Sequence, residues 1–234
     1  MSSAKFKNAM QDIRVRITSD ILEKGCDQAF VVFFAGAIHK AGATTVAVGV
    51  ARDFQGTMPQ KKILLLGLTN QGTSVSAIAK SKPKEVANSV VADANEVVDF
   101  QTIRRPDRQF QADDDAETNI LNRCEISANG FDVLNISDPN EMRAQVADKS
   151  DFWNKLHNTY YLVIVDVGRF ISEAHVLASR HSDCTLVVVD GKRMKRLELR
   201  HLRERMAAAN INADGIIYNK RRDYLPRLFR AAIE

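Results

Sequence analysis

Gly36-Ala37-Ile38-His39-Lys40-Ala41-Gly42-Ala43-Thr44-Thr45 decides how this chain is read. An apolar run, Ala29-Phe30-Val31-Val32-Phe33-Phe34, enters it, and Val46-Ala47-Val48-Gly49-Val50-Ala51 leaves it with helical composition. A strand, a glycine-containing loop and a helix in that order form the setting of a phosphate-binding loop. Free backbone N–H groups and the positive end of the helix dipole then face an anion. Gly42 allows close backbone approach, and Thr44 stands where a hydroxyl ligand of Mg²⁺ belongs. Ala43, however, occupies the position of the lysine that brings positive charge to the β- and γ-phosphates. His39 and Lys40 are the cationic residues nearby, and Lys40 lies three positions before the usual lysine.

Outward from the loop, strands and helices alternate. Residues 5–24 place Phe6, Met10, Ile13, Ile17 and Ile21 at helical spacing. Lys61-Lys62-Ile63-Leu64-Leu65-Leu66-Gly67 reads as a buried parallel strand, charged at its start and apolar within. Further strands are expected at Phe131–Ile136, Tyr161–Asp166, Cys184–Val189 and Gly215–Asn219, with helices over 139–158, 171–180 and 194–209. Phe152 and Trp153 are assigned to the core. Residues 69–127 show weak patterns, with an exposed loop at Asp113-Asp114-Asp115. This alternation predicts an α/β fold with a mostly parallel central sheet flanked by helices. With no repeat, linker or low-complexity tract, residues 1–234 are read as a single domain, 1–24 forming a lead-in helix.

Bulk properties narrow the setting. The composition, 45% hydrophobic and 26% charged, is that of an ordinary globular protein. No apolar run approaches the roughly 20 residues of a membrane span, and the start lacks a signal-peptide core, which predicts a cytoplasmic location. Cys26, Cys124 and Cys184 are scattered and suggest neither a disulfide frame nor a zinc site, and the five histidines show no metal spacing. The net charge of +4 is uneven: residues 191–234 carry 12 Lys/Arg against 5 Asp/Glu. Lys192-Arg193-Met194-Lys195-Arg196 fits a solvated helix start. Lys220, Arg221, Arg222, Arg227 and Arg230 suit an acidic partner or anionic lipid headgroups. The lack of interleaved aromatics argues against nucleic acid.

Asp166 ends the strongest apolar strand, where an aspartate can hold the Mg²⁺ water shell. At this point the chain resembles the bacterial tyrosine kinases of capsule and exopolysaccharide systems, relatives of the ParA/MinD-like ATPases. The similarity runs over nearly the whole length. It rests on the lead-in helix Phe6 to Ile17, the loop and helix at 36–51, Asp138-Pro139-Asn140-Glu141-Met142, Tyr160 to Asp166, His181 to Lys192, Gly215 to Asn219, and the tail Tyr224-Leu225-Pro226-Arg227. The resemblance implies a P-loop NTPase-like three-layer sandwich, with ATP and Mg²⁺ as the cofactors to be tested. It places nucleotide at Lys40, Gly42, Ala43, Thr44, Thr45 and Asn219, and Mg²⁺ at Thr44 and Asp166. It implies docking on the cytoplasmic tail of a membrane polysaccharide co-polymerase, peripheral membrane association through that partner, and homo-oligomeric rings driven by the lead-in helix.

The departures from the family pattern bear on activity. The loop lysine is Ala43, and a second signature lysine falls on Ile38. The second acidic motif falls on Gly67-Leu68-Thr69-Asn70-Gln71, and the Thr-Pro-Pro after the strand aspartate reads Val167-Gly168-Arg169. The tyrosine-rich tail such kinases phosphorylate is not seen; Tyr160, Tyr161, Tyr218 and Tyr224 are the tyrosines present. Phosphoryl transfer is positional and electrostatic. Each preorganised contact is worth about 3–4 kcal/mol of barrier, so these losses amount to on the order of 10⁴-fold in rate even without additivity. The reading is a catalytically impaired, kinase-like regulator or scaffold. An active tyrosine autokinase, with Lys40 and Asp166 as relocated catalytic groups, and a ParA/MinD-like positioning ATPase are the alternatives.

Overall fold

A computed structural model describes residues 3–25, 28–68, 120–147, 150–169 and 173–220. Helix α1 (Ser3–Lys24) leads into strand β1 (Phe30–Gly36), the loop, and helix α2 (Ala43–Thr57). Strand β2 (Ile63–Gly67) follows. Beyond the stretch 69–119, which lies outside the described residues together with the Asp113–Asp115 loop, come β3 (Glu125–Ile126) and β4 (Asp132–Asn135). Helix α3 (Pro139–Glu141) runs on as a π-helical turn, Met142–Ala147, before α4 (Ser150–Thr159). The chain then alternates through β5 (Leu162–Arg169), α5 (Glu173–Ser179), β6 (Cys184–Asp190), α6 (Arg196–Ala208) and β7 (Gly215–Asn219).

The strands form one seven-stranded sheet in the order β3-β4-β2-β5-β1-β6-β7. Every pairing is parallel except β3 with β4. The mostly parallel α/β sandwich expected from the alternation is therefore the fold observed. The short β3 was not anticipated, because two residues carry no readable period. The expected helix over 139–158 is divided: Pro139 sits at the first turn behind an Asp138 cap that accepts from Asn140 N–H at 3.0 Å, and the π turn precedes α4.

Strand β1 shows how the sheet acquires two cores. All seven of its residues are buried. Successive side chains point to opposite faces, so Phe30, Val32 and Phe34 join one apolar cluster while Val31, Phe33 and Ala35 join the other. The first cluster is covered by α1 and α2, with Met10, Ile17 and Ile21 on α1 and Val46, Val50 and Phe54 on α2. Arg14 on α1 ties the helices together by donating to Asp53 on α2 at 2.7 Å. Across the sheet, Phe152, Trp153 and Leu156 of α4 pack with Leu202 and Met206 of α6. Trp153 places its indole N–H 2.8 Å from the Val146 carbonyl and stacks on His181 with centroids 4.9 Å apart. Each fully buried large apolar side chain contributes about 1.5–3 kcal/mol. Two continuous cores therefore hold the carboxyl ends of β1, β5 and β6 in fixed register.

Candidate nucleotide site at the carboxyl edge of the sheet

Parallel pairing brings Asp166 of β5 level with Phe34 of β1 and Gly67 of β2. The loop after β1 therefore opens directly above the aspartate, at the edge where open α/β sheets bind ligands. Gly36 makes the approach possible. A Cβ there would lie 2.7 Å from the Gly168 carbonyl oxygen. Gly42 is required twice over: its φ is 94°, and a Cβ would meet Asn219 Nδ2 at 2.2 Å. No side chain caps α2 at Gly42. The N–H groups of its first turn have no intrahelical acceptors, the arrangement that suits an anion at a helix start.

Ala43 is buried, its methyl part of the core beneath α2. Lys40, the relocated cation of the sequence reading, stands exposed on the loop in a left-handed conformation with φ 59°. Thr44 and Asp166 come together. Burial pushes the Asp166 carboxyl up to about 6, while hydrogen bonds from the Thr44 hydroxyl and the Gly168 N–H hold it from rising further. The Gly168 N–H donates to Oδ1 at 3.0 Å. Oδ2 is left without a well-formed bond, Thr44 approaching the carboxyl without fully satisfying it. A buried carboxylate oxygen lacking a partner, beside a hydroxyl, is the hard-oxygen donor set that Mg²⁺ takes with phosphate and water. These two residues fit the metal; the uncharged, buried methyl of Ala43 does not fit the triphosphate.

Asn219 and Lys220 reach the loop from the end of β7. The Asn219 amide donates to the Ala41 carbonyl at 2.8 Å, and its Oδ1 accepts from the Lys220 N–H at 2.9 Å. Both ends of the amide expected to meet nucleotide are thus engaged within the protein. The Lys220 ammonium donates to the Lys40 carbonyl at 3.0 Å and to Asp190 Oδ2 at 3.1 Å. Burial pushes the Asp190 carboxyl up. Hydrogen bonds from the Lys192 N–H, the Lys220 ammonium and the Arg193 N–H outweigh that and hold it below the usual carboxylate range. Lys220, read from sequence as part of a basic tail facing partners or lipid, is instead an internal strap on the loop. Arg221, Arg222, Arg227 and Arg230 of that tail lie outside the described residues. The Asp190–Lys220 pair was not found from sequence. The available signal was a second acid at the carboxyl end of a central strand.

No family model and no curated protein matches the sequence. Solved structures do match the fold. The kinase domain of the Escherichia coli tyrosine kinase ETK is similar with a TM-score of 0.63 at 16% identity, over 93% of this chain and 77% of that one. The BceF tyrosine kinase domain is similar with a TM-score of 0.63 at 12% identity, over 91% and 76%. A ParA family ATPase from Chlorobium tepidum is similar with a TM-score of 0.53 at 15% identity, over 82% and 74%. With its seven-stranded sheet and its loop above Asp166, the chain shares the α/β fold of these kinase and ATPase domains.

Proposed function

We propose that this protein is a catalytically impaired, kinase-like component of bacterial exopolysaccharide or capsule assembly. It works as a cytoplasmic scaffold or regulator that docks on the tail of a membrane polysaccharide co-polymerase. One observation carries this reading. The strand–loop–helix cradle and its Thr44–Asp166 pair persist, while a buried methyl replaces the loop cation at Ala43. The tyrosine kinase domains that share the fold support the kinase-like assignment. Among the described residues no helix is long and apolar enough to cross a membrane, so docking would bring the protein to the inner face of the bilayer.

The retained hydroxyl–carboxylate pair favours residual Mg²⁺·nucleotide binding without transfer. Thr44 and Asp166 would hold the metal, which would supply positive charge against the phosphates. The first-turn N–H groups of α2 would orient the phosphates. Calorimetric titration with Mg²⁺·ATP, paired with incubation in labelled ATP, tests the assignment. Expected are weak binding or none and no phosphotyrosine. Robust autophosphorylation abolished by Asp166→Asn would establish an active kinase and overturn the scaffold reading. Pull-down by a co-polymerase tail peptide, unchanged by Asp166→Asn, tests docking that needs no turnover.

A further inference from the structure

Beside the phosphate loop lies a second cavity of about 430 Å³, lined by Ile38, His39, Arg169, Arg193, Lys195 and Glu198. Its volume falls within the roughly 300–1,000 Å³ of small-molecule sites. It borders the cradle, taking Ile38 and His39 from the loop itself, but Gly42, Thr44, Asp166 and Asn219 do not line it. Its basic residues come from separate parts of the chain: His39 from the loop, Arg169 from the end of β5, and Arg193 and Lys195 from the connection into α6. Among the described residues, Arg169, Arg193 and Lys195 form no ion pair, and all three are exposed and line the cavity.

The backbone that presents them is pinned. The Arg193 N–H donates to Asp190 Oδ1 at 3.2 Å, and the Met194 N–H donates to the Asp190 carbonyl at 2.9 Å. The Lys195 N–H donates to Glu198 Oε2 at 2.9 Å. Sequence reads Lys192 to Arg196 as a solvated helix start or, by family resemblance, as a region facing the nucleotide edge or a neighbouring subunit; the fold converges two of those cations with Arg169 and His39 around one concavity.

The geometry points to a binding site for a phosphate monoester, adjoining the nucleotide cradle but built from other side chains and independent of Mg²⁺. Three permanent cations against the one carboxylate of Glu198 leave a double positive excess, matching a monoester dianion rather than a single carboxylate. Two guanidinium groups supply the planar forks that hold phosphate oxygens in pairs. The volume exceeds a bare phosphate, and Ile38 gives an apolar wall for the organic part of the ester. The site stands whether or not the neighbouring loop retains nucleotide.

Calorimetric titration of the full chain in EDTA with phenyl phosphate, AMP and inorganic phosphate tests this. Saturable millimolar or tighter binding of an ester is expected, stronger than that of inorganic phosphate and weakening as salt rises. Arg193→Gln and Arg169→Gln should each weaken it about tenfold, the scale of one lost charge-assisted bond. Glu198→Gln should tighten it. These exposed positions leave the cores intact, which circular dichroism of each variant checks. Preference for phenyl phosphate would indicate an aromatic ester as the occupant, and preference for AMP a nucleotide. No binding, binding of bare phosphate equal to the esters, or binding undiminished by both arginine variants would overturn the proposal.

Discussion

Two aspartates lie toward the carboxyl edge of the same sheet, and their environments are opposite. Asp166 on β5 and Asp190 on β6 are both completely buried. Asp190 has the Lys220 ammonium at 3.1 Å and two backbone N–H groups on its Oδ1. Asp166 has the Gly168 N–H and the Thr44 hydroxyl, no cation, and an Oδ2 lacking a well-formed bond. The acid with a cation is pulled below the ordinary range and the one without is pushed up to about 6. A buried charge is tolerated only when it is paired or coordinates a metal. The Asp190 side is therefore complete as it stands, whereas the Asp166 side is stabilised when an external cation arrives.

Supplying the missing charge gives the largest expected change. Ala43→Lys should raise Mg²⁺·ATP affinity about a hundredfold, the scale of one preorganised contact of about 3 kcal/mol. Calorimetry on the purified variant measures it. Transfer should stay absent, because the second acidic motif is still lacking. An unchanged affinity would mean the loop is not shaped to cradle phosphate, and the contrast between the two edges would lose its functional meaning.

Removing the uncompensated charge comes next. An aspartate that ordinarily titrates near 3.9 and here titrates near 6 opposes folding by up to about 3 kcal/mol once ionised. Its folded pKa is raised, so between about pH 4 and 6 the native state binds more protons than the unfolded chain, and stability falls as pH rises. Asp166→Asn should flatten this window and stabilise the protein at pH 8 in urea melts without metal. A less stable variant would show that the Thr44 and Gly168 hydrogen bonds outweigh burial. Lys220→Met makes the opposite test. It should destabilise by about 2 kcal/mol, the value of a hydrogen bond to a charged group, discounted for the part-exposed ammonium. That contribution is present at neutral pH, begins to fade as pH falls below the ordinary aspartate value of about 3.9, and is lost as pH falls on through the lower value of the folded Asp190. Equal urea midpoints for variant and wild type at pH 7 would remove the strap.

The fold was legible because its strands are nearly continuous apolar runs, and a parallel sheet covered on both faces requires them. Phe30–Phe34, Ile63–Leu66 and Leu162–Val165 needed no tertiary information. The loop was legible for a similar reason: strand, loop and helix are contiguous, and Gly42 marks the turn. The Asp190–Lys220 pair was not, since 30 residues separate its members and a lysine before two arginines reads as solvated charge. Asn219 was placed at the site by resemblance; its bond to Ala41, 178 residues away, emerges only when β7 pairs with β6. The convergence of Arg169 with Arg193 and Lys195 was hidden likewise, because it depends on which strands end side by side.

The smallest expected effect isolates the clasp that joins the two edges. Gly42→Ala meets two separate penalties. A left-handed residue with a Cβ costs about 1–2 kcal/mol, and that Cβ would strike Asn219 Nδ2. Asn219→Ala removes the obstacle, along with the amide's bond to the Ala41 carbonyl. Backbone strain is the same in either background, so it cancels in a double-mutant cycle and leaves only the contact. Gly42→Ala should therefore cost about 1 kcal/mol less in the Asn219→Ala background, measured by urea midpoints at fixed pH. Additive effects would mean that Asn219 yields without cost when crowded. The amide would then be a movable neighbour of Gly42, its bond to the Ala41 carbonyl tolerating a shift, rather than a fixed clasp.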